Sequence, residues 1–433
     1  MAEMKEKGMK TGHELLNYIT KAVSPYHAVK EGCNLLRQAG FQELDIQATW
    51  ELQRGGAYFV RPFATTLFSF TVGQELTKQN GFHIAAAHTD HPCLHIKPDA
   101  ELPKKPYERV NVEIYGGPIL NTWLDRPLSA AGRIALRSDS IYEPRMILID
   151  LGRPLFTIPN LPIHINREIN RGIELKRQID MIPIFGIDSG QEHYFLDFLA
   201  SEIGVKPEEI LDFDLYIYNK EQGCILGRQE EFISSPRLDN LTSCYALLKA
   251  IMTGRRQDGI NLIALYDNEE VGSLTKQGAN SALLNIIIEK LVASFGIDKE
   301  RLNDAIFRSF LLSVDVAHAL HPNHPEKYDP VNVSGMNEGV VLKINCNQKY
   351  SFDTEAIAAI CQLCESADIK YKKFVNHSDI AGGGTIGSMI SSWLPMKTVD
   401  LGVPLLAMHS ARELMGIQDQ VYLEQLLTAF FSK

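Results

Sequence analysis

Apolar positions recur at helical spacing over Thr11 to Ala22 and again over Pro25 to Ala39, and the second stretch carries the signals that start and stop a helix. Ser24 is placed to cap it, Pro25 suits its first turn, and Gly40 ends it. Short runs at Ala57 to Pro62, Thr66 to Val72 and Phe82 to Ala87 then read as strands, the last running into His88. From about residue 94 the texture changes. A proline-rich stretch from Lys97 to Pro106 is followed by alternating runs at Val110 to Tyr115, Arg133 to Arg137 and Met146 to Leu151, the pattern of antiparallel strands with one wet face.

Beyond Arg228 strands and helices alternate. Helices are predicted at Leu241 to Met252, Ser281 to Ala293, Thr354 to Cys364 and Val421 to Phe431, and strands at Asn261 to Tyr266, Phe310 to Val314, Val340 to Ile344 and Thr398 to Gly402. Alternation of this kind predicts an α/β fold, a mixed or mostly parallel sheet flanked by helices. The α/β domain is read as discontinuous, residues 1–93 and 233–433, with a β-rich insertion at 94–232. No tandem repeat interrupts this plan.

Composition narrows the function classes. Of the 433 residues, 45% are hydrophobic and 22% charged, which suits a large globular enzyme. Lys and Arg total 43 against 53 Asp and Glu, for a formal charge of −10, so nothing favours a nucleic-acid partner. The opening residues lack the apolar core of a secretory signal, and no run approaches the roughly 20 apolar residues that span a bilayer, so a cytoplasmic protein without membrane partners is expected. Seven scattered cysteines argue for thiols over a disulfide framework, and Cys361 and Cys364 fall on an apolar helical run as core residues.

Four apolar runs end abruptly in a side chain able to hold a metal: Ile84 to His88, followed by Asp90; Leu262 to Tyr266, followed by Glu269 and Glu270; Phe310 to Val314, followed by Asp315; and Leu405 to Met408, followed by His409. Ligands of open α/β sheets gather beyond the carboxyl ends of the strands, where these residues could meet. Taken singly, each is more often a helix cap or hydrogen-bonded loop residue than a ligand, and Asp239, just ahead of the Leu241 helix, alone reads as an N-cap; the four runs together favour a shared site. Histidines with carboxylates and no cysteine suit zinc, with manganese and cobalt as alternatives, and a bridging carboxylate is the usual means of holding two cations about 3.5–4 Å apart.

The ordered set His88-Thr-Asp90, Ser235-Pro-Arg-Leu-Asp239-Asn, Asp267-Asn-Glu269-Glu270-Val-Gly-Ser273, Ser313-Val-Asp315-Val-Ala-His-Ala and Met408-His409-Ser-Ala-Arg-Glu413 resembles the motifs of the M18 metallopeptidases, the aspartyl aminopeptidase family, across nearly the whole chain. The resemblance implies a zinc-exopeptidase-like fold interrupted by a dimerisation domain, and an aminopeptidase acting on peptides. It implies two divalent metals per subunit bridged by Asp239, one completed by His88 and Asp315, the other by Glu270 and His409. By the same resemblance Glu269 is the general base, and Asp90 orients His88 from the second shell of ligands. His164, a loop or strand residue on its own, would act in a neighbouring subunit's site, within a tetrahedral dodecamer.

Acidic N-terminal residues are the favoured substrates that the resemblance implies. Lys343, in Val340-Val-Leu-Lys-Ile-Asn345, matches the family's lysine and would supply the pocket cation, the alternative being a lysine that snorkels outward. Gly383, Gly384 and Thr385, in Ala381-Gly-Gly-Gly-Thr-Ile-Gly387, resemble the family's substrate loop, the alternative being a turn. His91 stands where relatives more often carry serine, and with His95, His318, His321 and His324 it is either a polar group at the pocket rim or a solvated loop residue. Another cocatalytic peptidase, or a metal-dependent deacylase, would share the metal logic. The long insertion containing His164 favours the M18 reading.

Overall fold

The computed structural model describes residues 2–76, 81–102 and 105–433; Met1, and Pro103 and Lys104 of the proline-rich stretch, lie outside the described residues. The chain divides into two compact units, one of residues 1–90, 223–408 and 413–433, the other of residues 91–222 and 409–412.

The first unit is built on a nine-stranded mixed sheet. Its strand order is Gln42–Leu44, Ala57–Phe63, Thr66–Val72, Ile260–Tyr266, Phe82–His88, Phe310–Val314, Lys397–Gly402, Val340–Ile344 and Tyr371–Val375. The four strands at the centre, from Ile260–Tyr266 to Lys397–Gly402, run parallel, with Tyr266 level with His88. Helices cover both faces, so Ile84 and Ala86 enter one apolar core while Ala85 and Ala87 enter the other. Burial on both sides is why these strands read as unbroken apolar runs.

Helix ends follow the expected chemistry. Ser24 accepts the His27 N–H at the start of Pro25–Gln38, and Gly40 takes the left-handed φ of +83° after its end. The first helix is longer than its apolar pattern, Ala2–Lys21, because the added turns are made of good helix formers. Those turns are also tied down, Lys5 pairing with Glu230 at 3.0 Å and the Met4 carbonyl accepting from Gln418 at 3.1 Å.

A five-stranded sheet in the same unit joins Cys224–Leu226, Phe232–Ser235, Glu413–Gly416, Pro404–Leu406 and Ala317–His318. Two departures from the sequence reading follow from it. Residues 224–235 pair here and so group with the first unit. The run leading to His409 is a three-residue strand of this small sheet and not a member of the central one.

The second unit holds a fully antiparallel six-stranded sheet in the order Arg145–Asp150, Leu128–Leu136, Ile210–Asn219, Cys93–Glu101, Tyr107–Tyr115 and Ile184–Ile187. It also carries a helix, Tyr194–Ile203, that the sequence reading did not foresee.

Candidate metal centre

Three parallel strands bring the first unit's predicted residues to one end of the sheet. His88 is the last residue of Phe82–His88, Asp315 follows Phe310–Val314, and Glu269 and Glu270 follow Ile260–Tyr266 after a tight turn. Asp239 arrives on the helix segment Leu238–Thr253, where Asp239 and Asn240 depart from helical geometry and the regular helix begins at Leu241. Asp239 is therefore not the helix cap. The start of this segment is pinned to the strand ends, since Asn240 Nδ2 donates to the Val314 carbonyl and the Cys244 thiol to that of His88, both at 3.0 Å. The Asp239 N–H donates to Glu413 Oε2 at 3.0 Å.

His88 Nε2 lies 3.5 Å from Asp239 Oδ1 and 3.6 Å from Asp315 Oδ1. Bond lengths of 2.0–2.1 Å in a tetrahedral zinc site set neighbouring ligand atoms about 3.4 Å apart, so this triad has the spacing of a first coordination sphere. His88, Glu269 and Glu270 form a second group whose ligand atoms all lie within 4.8 Å of one another. The donor set also fits cations by charge. His88, Asp90 and Asp239 are buried, and the carboxylates outnumber the His88 imidazole and the Lys343 ammonium, an excess of negative charge that is costly away from water unless cations offset it.

The ionisable groups of the site also act on one another. Burial works against a charged His88, but the carboxylates of Asp239, Asp315 and Asp90 outweigh it and hold the imidazole well above its ordinary pKa. Burial also pushes Glu269 up to about 7, with Asp315, Asp90 and Asp239 adding to the rise against the opposing pull of His88. For Asp315, burial is overcome by Lys343 and His88, and its pKa falls.

Asp90 is fully buried, and its two carboxylate oxygens divide between two backbone amides: Oδ1 accepts from Glu269 at 3.2 Å and Oδ2 from Glu270 at 3.1 Å. The nearer partner of His88 Nδ1 is the Asp90 main-chain carbonyl at 3.1 Å, with the carboxylate at 3.4 Å. The side chain thus fixes the turn that carries Glu269 and Glu270, a role sequence spacing did not reveal. Left-handed non-glycine residues stand beside the site residues, Arg237 before Asp239 and Asn268 before Glu269, the kind of local strain that clusters at functional sites.

Lys343 does not snorkel; it is 2% exposed, and its Nζ lies 3.2 Å from Asp315 Oδ2. In the glycine-rich stretch, Thr385 is buried and precedes the helix Ile386–Trp393, while Gly383 has open space where a Cβ would stand. Gly384 is nearly as open. Gly387 is the position that demands glycine, because a Cβ there would come within 2.6 Å of Asp400 Oδ2. Lys349 holds the stretch by donating to the carbonyls of Ala381 and Gly382 at 3.2 and 2.9 Å.

In the second unit, His164 lies on an exposed segment between the exposed Ile163 and Ile165. His409 has a φ of +66°, and its Nδ1 meets the Gly117 carbonyl at 3.1 Å. His91 is 2% exposed, so the solvated-loop reading fails for it, and His95 pairs with Asp214 at 2.6 Å. Cys364 is buried and Cys361 half-buried on the helix Thr354–Ser366, as expected of core thiols.

Known proteins match the chain over nearly its full length. The family model described as aminopeptidase I zinc metalloprotease (M18) matches residues 18–431. A probable M18 family aminopeptidase 2 of Clostridium acetobutylicum is 44% identical over 423 residues, covering 97% of this chain and 98% of its own. Among solved structures, a chain of the Ape4 and Nbr1 complex superposes with a TM-score of 0.95 at 31% identity, covering 100% of this chain and 87% of that one. A chain of the S. cerevisiae mApe1 dodecamer does so with a TM-score of 0.83 at 26% identity, covering 97% and 96%. With the motifs in order and the fold matched from end to end, the chain belongs to the M18 family of zinc aminopeptidases, metal-dependent hydrolases.

Proposed function

We propose that this protein removes single N-terminal residues from peptides at a centre of two divalent cations, with zinc as the resident metal and acidic N-terminal residues as the preferred class. The observation that carries the proposal is the His88 imidazole set between Asp239 and Asp315 at ligand spacing, with Glu269 and Glu270 in the same cluster. In this reading Asp239, His88 and Asp315 would hold one cation, and Asp239, Glu270 and His409 the other.

When bound, such a pair supplies Lewis acidity toward water and the scissile carbonyl. Glu269 accepts the proton of the attacking water and passes it to the leaving amine, a task suited to a carboxyl whose pKa burial brings near the working pH. Asp90 keeps Glu269 in place by holding its backbone amide. Gly383, Gly384 and Thr385 would offer backbone groups to the peptide.

Self-association is part of the proposal. The S. cerevisiae relative is a dodecamer, and the exposed Ile163-His164-Ile165 segment is suited to insertion beside a neighbouring subunit, where His164 would stabilise the tetrahedral intermediate. A tetrahedral dodecamer working in the cytoplasm is the assembly we propose, with the second unit as the dimerisation domain. Among the described residues no helix is long and apolar enough to cross a membrane.

The test is a panel of aspartyl, glutamyl, leucyl and alanyl anilides, assayed before chelation, after it, and after return of zinc, manganese or cobalt. Turnover should vanish on chelation, return with metal and be fastest on the acidic substrates. Persistent turnover by the fully chelated protein would exclude the metal reading, and much faster cleavage of the leucyl substrate would exclude the acidic preference alone.

A further inference from the structure

One residue ties down the glycine-rich stretch from Ala381 to Thr385 at both of its ends. Lys349 is exposed, and its Nζ donates to the carbonyl of Ala381 at 3.2 Å and to that of Gly382 at 2.9 Å. Its own main-chain carbonyl takes the other end, accepting from the Thr385 N–H at 3.3 Å and from Thr385 Oγ1 at 3.4 Å. Among the described residues no other donor meets the Ala381 or Gly382 carbonyl. This segment borders the proposed metal centre, since the ring of Tyr350, the next residue, lies 5.1 Å from the Lys343 ammonium that pairs with Asp315.

The two attachments differ in strength. Thr385 is buried and leads into a helix whose Ile386 and Ile390 lie in an apolar core, so that end is fixed. The Ala381 end hangs on an exposed ammonium and two neutral carbonyls. Between them stand glycines that the chain itself only partly requires. A Cβ on Gly382 would collide with the Asn376 side chain, but Gly383 has open space, Gly384 has only an ordinary contact with the Lys349 carbonyl at 3.8 Å, and none of the three takes a left-handed φ. Glycine at 383 and 384 therefore serves neither a turn nor a close approach within the protein. It adds backbone freedom that is lost whenever the stretch is held in one form, and Lys349 is the restraint on that freedom.

We infer that Lys349 is a positioning residue whose ammonium latches the glycine-rich stretch in the form that receives the peptide, acting on substrate binding and not on the metals or Glu269. The inference rests on the reading of Gly383, Gly384 and Thr385 as a substrate wall. A hydrogen bond shifts an equilibrium by about 2- to 13-fold net, so the two bonds favour the latched form by about 5- to 150-fold. Apparent affinity falls with the fraction of molecules competent to bind, so loss of the latch raises KM by at most that factor.

The experiment measures kcat and KM on aspartyl and leucyl anilides at saturating zinc for the wild type, Lys349→Met, Lys349→Arg and Gly383→Ala, with Tm and zinc affinity by chelator competition in parallel. Lys349→Met keeps the stem and removes the donors. It should raise KM about 5-fold or more on both substrates, with kcat, zinc affinity and Tm close to those of the wild type. Lys349→Arg, whose fork of N–H groups can serve both carbonyls, should restore most of the lost affinity. A wild-type KM for Lys349→Met would overturn the inference, as would a fall in kcat or zinc affinity in place of the KM change, or an arginine variant no better than the methionine one. Gly383→Ala tests the reading beneath it: the fold has room for the methyl group, so Tm should not fall, and a raised KM marks the stretch as facing substrate. If Gly383→Ala raises KM and Lys349→Met does not, the latch is refuted and the substrate wall stands; if neither does, both fall.

Discussion

Replacing Asp90 with asparagine separates two tasks that sequence spacing merges. In the wild type each carboxylate oxygen accepts one backbone amide, from Glu269 and Glu270, at 3.2 and 3.1 Å. Asparagine keeps one acceptor and sets an NH2 group against the other amide, so one charge-assisted hydrogen bond is lost and two buried donors are opposed. A hydrogen bond to a charged group contributes about 1.5–3 kcal/mol. If that loss falls entirely on the geometry of the turn, turnover drops by about 10- to 150-fold, at 1.36 kcal/mol for each factor of ten. The main-chain carbonyl of Asp90 still meets His88 Nδ1, so zinc affinity should change far less than kcat. Steady-state kinetics on aspartyl anilide at saturating zinc, with chelator competition in parallel, measure both. Asp90→Asn with wild-type turnover would refute the role given to the turn, and a collapse of zinc affinity matching the loss of rate would return the carboxylate to orienting His88.

Two further outcomes are expected. Glu269→Gln should lower kcat by about 10²–10⁴-fold with KM little changed, and near-native turnover would show that another group moves the proton. His83, stacked on Phe430 with Nδ1 2.7 Å from its carbonyl, has its pKa lowered from 6.5 to about 4, chiefly by burial and further by Arg256. Below pH 6.5 the unfolded chain takes up a proton that the folded one refuses, so stability is full above pH 6.5 and is lost as pH falls toward 4. Between pH 7 and 5 the loss amounts to about 2 kcal/mol. Urea unfolding of the wild type and His83→Phe at both values measures it, and equal losses in the two proteins would clear His83 of responsibility.

The elements most legible in the sequence are those whose environment is simplest. Thr66–Val72, Phe310–Val314 and Val340–Ile344 have the boundaries their apolar runs predict, because strands with helices on both faces are apolar at most positions along their length. Cys93–Glu101 and Ile210–Asn219 escaped recognition because His95, Lys97, Asp212 and Asp214 break the apolar pattern on strands that are only partly covered. In the site, His88, Asp315, Glu269 and Glu270 were visible as abrupt ends of apolar runs. The contact of Lys343 with Asp315 was not, since it joins neighbouring parts of a sheet that no sequence interval connects, and the division of Asp90 between two amides depends on a turn conformation rather than on residue type.

The order of the central strands has a consequence for how the enzyme comes into being. His88, Glu269 and Asp315 stand at the ends of adjacent parallel strands, yet a whole second unit is translated between the first of them and the others. Pairings of such separation form late, and this grouping of side chains does not exist in any local stretch of chain. A nascent polypeptide therefore cannot bring these side chains together until residues 310–315 have emerged and their strand has paired with Phe82–His88.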